Sequence, residues 1–208
     1  MMFAKTPEAR YLVHVKHKLA AGHEHSTLGT NIRDEAYTRE KAERWAERLV
    51  QHYGLKPQHL CVEYGCGSLW AAEPIIRLLE PGRYIGLDIT SQFYEVGRKR
   101  LGDLLREKRV RLGVISEPKI REVAALEPDF LYSRKVLPHV DEAALPRYMA
   151  NVTGLMARKT VAVLDNTPII VDGMRTGRRH SVEAMRKFLP AGFEIEQGEF
   201  GALLHRRA

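Results

Sequence analysis

The stretch that decides the fold reads Leu60-Cys61-Val62-Glu63-Tyr64-Gly65-Cys66-Gly67-Ser68-Leu69-Trp70. Its first residues form a short apolar run, which is typical of a buried strand. Two glycines one residue apart follow, and a helical pattern then extends to Leu79. A strand that passes into a helix through a glycine pair lets the backbone approach a ligand, and the first N–H groups of the helix are free to bind it. The alternative is a plain glycine turn with no ligand.

Two acidic residues strengthen the ligand-binding interpretation. Glu63 lies at the carboxyl end of the first predicted strand, the edge at which open α/β sheets bind ligands. The segment Arg83–Asp88 predicts a second strand that ends in an acid. An ionised carboxylate at that position can accept hydrogen bonds from both hydroxyls of a ribose.

Together, Glu63-x-Gly65-x-Gly67 and Gly86-Leu87-Asp88 resemble the first two motifs of the class I S-adenosylmethionine-dependent methyltransferases of the small-molecule type. The resemblance extends through nearly all of residues 58–206. It implies a Rossmann-like α/β sandwich whose seven-stranded, mostly parallel sheet has one antiparallel strand. Leu69 stands where the family usually has a third glycine, so we expect a slightly different turn. A nicotinamide-binding G-x-G-x-x-G is disfavoured because its last glycine would fall on Trp70.

The resemblance also implies S-adenosylmethionine as the cofactor and a set of residues that bind it. These come from the turn after the first strand and from the ends of the next three strands: Glu63, Gly65, Cys66, Gly67, Asp88, Ile89, Ser116, Glu117 and Ser133.

Length and composition fit one domain. The chain has 208 residues, 44% of them hydrophobic, and a formal net charge of +7. We predict an N-terminal helical cover at residues 1–57 and a cofactor-binding domain at residues 58–208. The two cysteines, Cys61 and Cys66, do not suggest a disulfide framework, and no apolar run approaches the length of a membrane span, so we expect a cytoplasmic protein with no membrane contact. The charge favours anionic partners only mildly.

Periodicity and turn residues predict the remaining elements. Helices are expected over residues 7–20, from Thr38 to Gly54, from Ser91 to about Lys108, from Asp141 to about Ala157 and from Ser181 to about Pro190. Ser91 is the expected cap of its helix. Strands are expected over residues 110–115, 129–133, 160–165, 193–200 and 202–206. Residues 166–180 are predicted to form a long loop, and residues 22–34 a lid over the cofactor.

Two histidines are candidates for a general base, because imidazole suits proton removal near neutral pH. His139 follows the fourth predicted strand, and His180 follows the fifth. A purely structural histidine is the alternative at both positions. Histidines near the N-terminus have spacings compatible with a metal, but polar-face histidines are the preferred interpretation, and we predict no metal.

The acceptor pocket is predicted from aromatic and basic residues: Tyr11, His25, Tyr37, Arg175, Arg178 and Arg179. Arginines at the carboxyl edge of the sheet can bind carboxylate or phosphate, whereas a solvated basic loop is the alternative. The fourth strand is followed by Arg134-Lys135-Val136 and lacks the Pro-Pro-aromatic motif of enzymes that methylate adenine in nucleic acid. We therefore expect a small-molecule acceptor, anionic or hydroxyl-bearing, and a monomer or homodimer. Methylation of RNA or protein, and a non-catalytic scaffold of the same fold, are the alternatives.

Overall fold

Nine strands are present in the part of the chain that the computed structural model describes, namely residues 7–20, 35–167, 169–171, 174–176 and 178–207. In chain order they are β1 (Cys61–Tyr64), β2 (Tyr84–Asp88), β3 (Arg111–Val114), β4 (Phe130–Ser133), β5 (Val161–Leu164), β6 (Ile169–Val171), β7 (Met174–Thr176), β8 (Phe193–Gln197) and β9 (Ala202–Arg206). Seven of them form one sheet in the order β3-β2-β1-β4-β5-β9-β8. Strand β9 runs antiparallel to both of its neighbours, and the other pairings are parallel. The predicted seven-stranded sheet with one antiparallel strand is confirmed.

The described helices are α1 (Pro7–Ala20), α2 (Glu35–Gln51), α3 (Glu73–Leu78), α4 (Ser91–Glu107), α5 (Glu117–Ala124), α6 (Leu145–Gly154) and α7 (Val182–Arg186), with a 3₁₀ turn at Leu137–His139. Helices α3, α5 and α6 each have a proline in the first turn. Proline is favoured there because its missing N–H would be unpaired in any case. This signal places the start of α3 at Glu73 and that of α6 at Leu145, later than predicted, and it identifies α5, which our sequence analysis missed.

Two further helix boundaries and one loop differ from the predictions. Helix α2 begins at Glu35, one turn before Thr38. Thr90 caps α4 by accepting a hydrogen bond from the Gln92 N–H, so the expected cap, Ser91, is the first helical residue. The predicted loop at 166–180 contains the antiparallel pair β6–β7, which was not expected.

Helices cover both faces of the sheet. On one face Trp45 and Leu49 of α2 and residues of α3 and α4 pack on Cys61 and Tyr132, and all of these side chains are buried. On the other face α5, α6 and α7 pack on Val62 and its neighbours. Alternation along each strand thus sends successive side chains into two separate cores. None of the described helices is both long and apolar enough to cross a membrane.

Candidate functional site at the carboxyl edge of the sheet

The turn after β1 is attached to β2 by its backbone. The N–H groups of Gly65 and Cys66 both donate to the Leu87 carbonyl, at 2.7 and 3.0 Å. Gly65 has a φ of 86°, and a Cβ added to it would lie 2.2 Å from Cγ2 of Val136. Gly67 has a φ of 50°, and a Cβ there would meet nothing within 4 Å. Gly65 is therefore required by the protein's own packing, whereas the space beside Gly67 is open to a ligand.

Leu69, at the position where the resemblance leads us to expect a third glycine, has a backbone conformation that favours glycine. Its φ is 59°, in the left-handed region, and its side chain is fully buried. The room for that side chain comes from Gly97 in α4, where an added Cβ would lie 2.7 Å from Cβ of Leu69. A leucine at this position of the turn thus depends on a facing position in α4 that has no side chain.

Asp88 is the acid at the carboxyl end of β2, and it closes the turn from the side. One carboxylate oxygen accepts the Gly67 N–H and the other accepts the Ile89 N–H, both at 2.7 Å. Burial raises the pKa of Asp88 to about 6, although both N–H bonds act to lower it. Each oxygen has a second lone pair, so two further hydrogen bonds can form.

Glu63 lies beneath the turn on the α2 side of the sheet. Its Oε2 accepts hydrogen bonds from the Tyr84 hydroxyl and, at 2.7 Å, from the Tyr132 hydroxyl. The side chain is only 2% exposed, and burial raises the pKa of its carboxyl group to about 7. These contacts favour support of the turn from below over direct contact with a ligand.

Four other predicted cofactor residues have clear places in the fold. Cys66 is 4% exposed, and burial raises the pKa of its thiol well above the usual value, which acts against a nucleophilic role. Ser116 caps α5 by accepting the Lys119 N–H, and Glu117 pairs with Arg121 on the same helix. Ser133 is buried, and its carbonyl accepts the Asp165 N–H at 2.9 Å. Both cysteines of the chain are free and buried.

Helix α1 brings an aromatic side chain to this edge. The Tyr11 ring lies 5.1 Å from the exposed His139 ring and 6.3 Å from the ring of Phe93, near the start of α4. Tyr11 thereby connects the element after β2 with the element after β4. His25 and the predicted lid at 22–34 lie outside the described residues, as do the side chains of Tyr37 and Arg175.

His180 is placed differently from His139. It is 5% exposed, and its Nε2 lies 2.8 Å from the Val140 carbonyl oxygen. Close by, the Arg178 N–H donates to the Pro138 carbonyl at 3.0 Å. These two bonds fasten residues 178–180 to the segment after β4, so the exposed Arg178 and Arg179 lie at the same edge as His139. For His180 the geometry favours a structural role.

A lysine–aspartate pair that our sequence analysis missed lies between the ends of β4 and β5. The Lys135 ammonium lies 3.6 Å from Oδ2 of Asp165 and donates to the Thr167 hydroxyl at 2.7 Å. Asp165 is 3% exposed and also accepts from the Thr167 N–H and hydroxyl. The sequence contained a signal for this pair, because Asp165 directly follows β5 and Lys135 comes two residues after β4, and both strands end at this edge. Among the described residues, no cluster of three or more His, Cys, Asp or Glu side chains is arranged to hold a metal.

Comparisons with known proteins agree with this architecture. No protein-family model and no curated protein sequence matches the chain. Its structure is similar to the magnesium protoporphyrin IX methyltransferase ChlM from Synechocystis PCC 6803 with bound SAM, with a TM-score of 0.60, 15% identity, and coverage of 98% of this chain and 97% of ChlM.

Two other similar structures differ in their chemistry. The glycopeptide N-methyltransferase MtfA matches with a TM-score of 0.55 at 13% identity over 78% of this chain and 88% of MtfA. The [4+2]-cyclase SpnF matches with a TM-score of 0.53 at 16% identity over 76% of this chain and 60% of SpnF. Identities this low speak for the fold alone. The chain therefore has the fold of the class I S-adenosylmethionine-dependent methyltransferases.

Proposed function

We propose that this protein is an S-adenosylmethionine-dependent methyltransferase that acts on a small molecule. The observation that carries the proposal is the turn at Gly67, where the open space beside the glycine adjoins a buried carboxylate on Asp88. Gly65, Gly67, Asp88 and Ile89 would hold the cofactor, and Asp88 has lone pairs left for its ribose hydroxyls. When bound, the cofactor supplies an activated methyl group, so the protein needs mainly to position the acceptor and exclude water.

A small acceptor is supported by the other half of the same edge. The Tyr11 ring of α1 lies 5.1 Å from the His139 ring, so an aromatic side chain stands beside the segment that follows β4. The methyltransferases among the similar structures act on a porphyrin and a glycopeptide according to their names. Lys135, Arg178 and Arg179 give the edge a positive character, which favours an acceptor with an anionic group.

His139 is the better candidate for a general base, because its ring is exposed at the edge whereas His180 is buried against Val140. Its removal by His139→Gln should lower kcat by about 10²-fold or more if the acceptor must lose a proton. A flat pH–rate profile in wild type, with unchanged kcat in the variant, would remove His139 from this role.

The test of the proposed function has two stages. Titration calorimetry with S-adenosylhomocysteine should give saturable binding to wild type, and Gly67→Val should abolish it while circular dichroism shows an unchanged fold. Labelled S-adenosylmethionine and a fraction of small metabolites should then yield a labelled product. Absence of binding to wild type would refute the proposal.

A function other than methyl transfer has a specific precedent, because SpnF has a similar structure and is described as a [4+2]-cyclase. Saturable cofactor binding together with no labelled product, in acceptor fractions of every charge class, would favour such a second function over methyl transfer.

We also infer a cytoplasmic location, which two free, buried cysteines support, and a monomer or homodimer as the assembly. The division at residue 57 stays a prediction. Among the described residues of the predicted cover, α2 packs in the same core as β1 through Trp45 and Leu49, whereas α1 reaches His139 through Tyr11.

A further inference from the structure

We propose that Lys135 binds the anionic group of the small-molecule acceptor and that Asp165 and Thr167 hold its side chain in place for that purpose. The inference deepens the proposed function and rests on it for the identity of the ligand as an acceptor. It adds a residue, Lys135, to the arginines predicted from the sequence.

The backbone of Lys135 is the first reason. Its φ is 56°, in the left-handed region that residues with a side chain rarely adopt. Two other left-handed residues with side chains, Arg109 and Glu127, come just after the ends of α4 and α5, where that conformation is a common way to end a helix. Lys135 follows a strand, so no helix end accounts for its backbone, and such outliers concentrate at binding sites.

The position of the ammonium group is the second reason. Thr167 and Asp165 hold it from one side, while 43% of the Lys135 side chain is exposed. An ammonium group has three donors, so at least one N–H is left for a ligand. The ends of β4 and β5 flank it, and β4 lies directly beside β1, whose turn would hold the cofactor.

The balance of charge around the pair is the third reason. Asp165 also lies near the half-buried Arg134, which donates to the Lys41 carbonyl at 3.2 Å and lies near Glu63 as well. One buried carboxylate therefore serves two cations, and Glu63, with a pKa of about 7, is only partly ionised at neutral pH. Among the described residues Arg178 and Arg179 form no ion pair, so the edge keeps an excess of positive charge.

A matched control exists at the other end of the same two strands. Lys159 precedes β5 and lies 3.2 Å from Asp129, which precedes β4. This pair has the same residue types, and 73% of the Lys159 side chain is exposed. It lies at the amino edge, away from the candidate site, so it separates a local effect from a general effect of losing one positive charge.

The experiment uses the full chain and two simple anions as probes. Two-dimensional amide NMR is recorded while inorganic phosphate or acetate is added, with and without saturating S-adenosylhomocysteine. We expect saturable shifts at the amides of Lys135 and Thr167. Lys135→Met should weaken anion binding at least about tenfold, the effect of one charge-assisted hydrogen bond, whereas Lys135→Arg and Lys159→Met should retain it. Stronger binding of phosphate or of acetate indicates which acceptor group the site prefers.

Several results would overturn the inference: no saturable shift at these amides in wild type, unchanged affinity in Lys135→Met, an equal loss in Lys159→Met, or a loss confined to an Arg178→Ala/Arg179→Ala variant. Failure of the proposed function is a separate result, because it appears as absent binding of S-adenosylhomocysteine while the anion titration can still be read.

Discussion

The two ends of β4 and β5 each carry a lysine–aspartate pair, and the two pairs are built differently. At the amino end Asp129 accepts the Leu60 N–H at 2.9 Å and its side chain is 26% exposed. At the carboxyl end Asp165 is almost completely buried, and its lysine has a left-handed backbone. At the amino edge the pair links the starts of neighbouring strands. At the carboxyl edge it forms a preorganised polar site, and a structural role alone would not require its burial and backbone strain.

The pKa values show the same contrast. Partial burial acts to raise the pKa of Asp129, but the Leu60 N–H and Lys159 hold it below the usual value. At the carboxyl edge burial dominates, and the pKa values of Glu63 and Asp88 rise to about 7 and about 6. Buried carboxylates with raised pKa values at one edge are a common mark of a functional site.

The largest difference between the edges should appear when a methyl group is added to a glycine. Gly65→Ala should destabilise the fold by about 2–5 kcal/mol, because the new methyl group overlaps Val136 and the left-handed backbone is unfavourable for alanine. Gly82 at the amino edge has a φ of 81° and open space, so Gly82→Ala should cost only about 1–2 kcal/mol. Urea unfolding of both variants measures the difference. Equal losses of unfolding free energy would show that the Val136 side chain can move aside at little cost.

Removal of an aspartate should affect cofactor affinity at one edge only. Asp88→Ala should weaken S-adenosylhomocysteine binding by about 2–4 kcal/mol, because it removes charge-assisted hydrogen bonds and leaves the Gly67 N–H unpaired. Asp129→Ala should leave that affinity unchanged, although it removes the hydrogen bond to Leu60. Titration calorimetry with S-adenosylhomocysteine measures the affinity of both variants. A wild-type affinity in a folded Asp88→Ala protein would exclude Asp88 from the site.

The pH dependence of stability should have opposite signs at the two edges. The pKa of Glu63 is raised from 4.5 to about 7 in the folded protein, so the folded state binds more protons and stability falls as pH rises through that interval. Glu63→Gln should remove about 1–3 kcal/mol of this fall, leaving a smaller fall due to Asp88.

The contribution of Asp129 is present above pH 3.8 and is lost as the pH falls through its lowered pKa. Asp129→Asn should therefore reduce the loss of stability in acid. Urea unfolding at a series of pH values measures both variants. If Glu63→Gln had the same profile as wild type between pH 4.5 and 7, the carboxyl group would not titrate there.

The smallest effect is expected for the exposed pair itself. Lys159→Met should change the free energy of unfolding by no more than about 0–1 kcal/mol, because an exposed ion pair gains little over its two solvated charges. Thermal unfolding at low and high salt is the measurement. A loss well above this range would mean that the amino-edge pair is more than a surface contact and would weaken its use as a control.

Much of the fold followed from the sequence, because the apolar runs of β1, β2, β4 and β5 and the glycine turn have strong local patterns. The features of the site that we could not predict depend on contacts between segments that are distant in the sequence. Val136 sets the requirement at Gly65, and the two tyrosines that hold Glu63 come from β2 and β4. Neither could be inferred from one sequence, since nothing local indicates which side chains meet across the sheet.

The arrangement of Leu69 and Gly97 turns a local motif into a pair of positions far apart in the chain. The left-handed residue of the turn can have a side chain only when the facing position in α4 has none. Related sequences that have a side chain at position 69 should therefore keep glycine at position 97, where the Ser68 carbonyl oxygen, also 2.7 Å from an added Cβ, reinforces the requirement. Searches that require three glycines in the turn would pass over such chains, and searches that consider both positions together would find them.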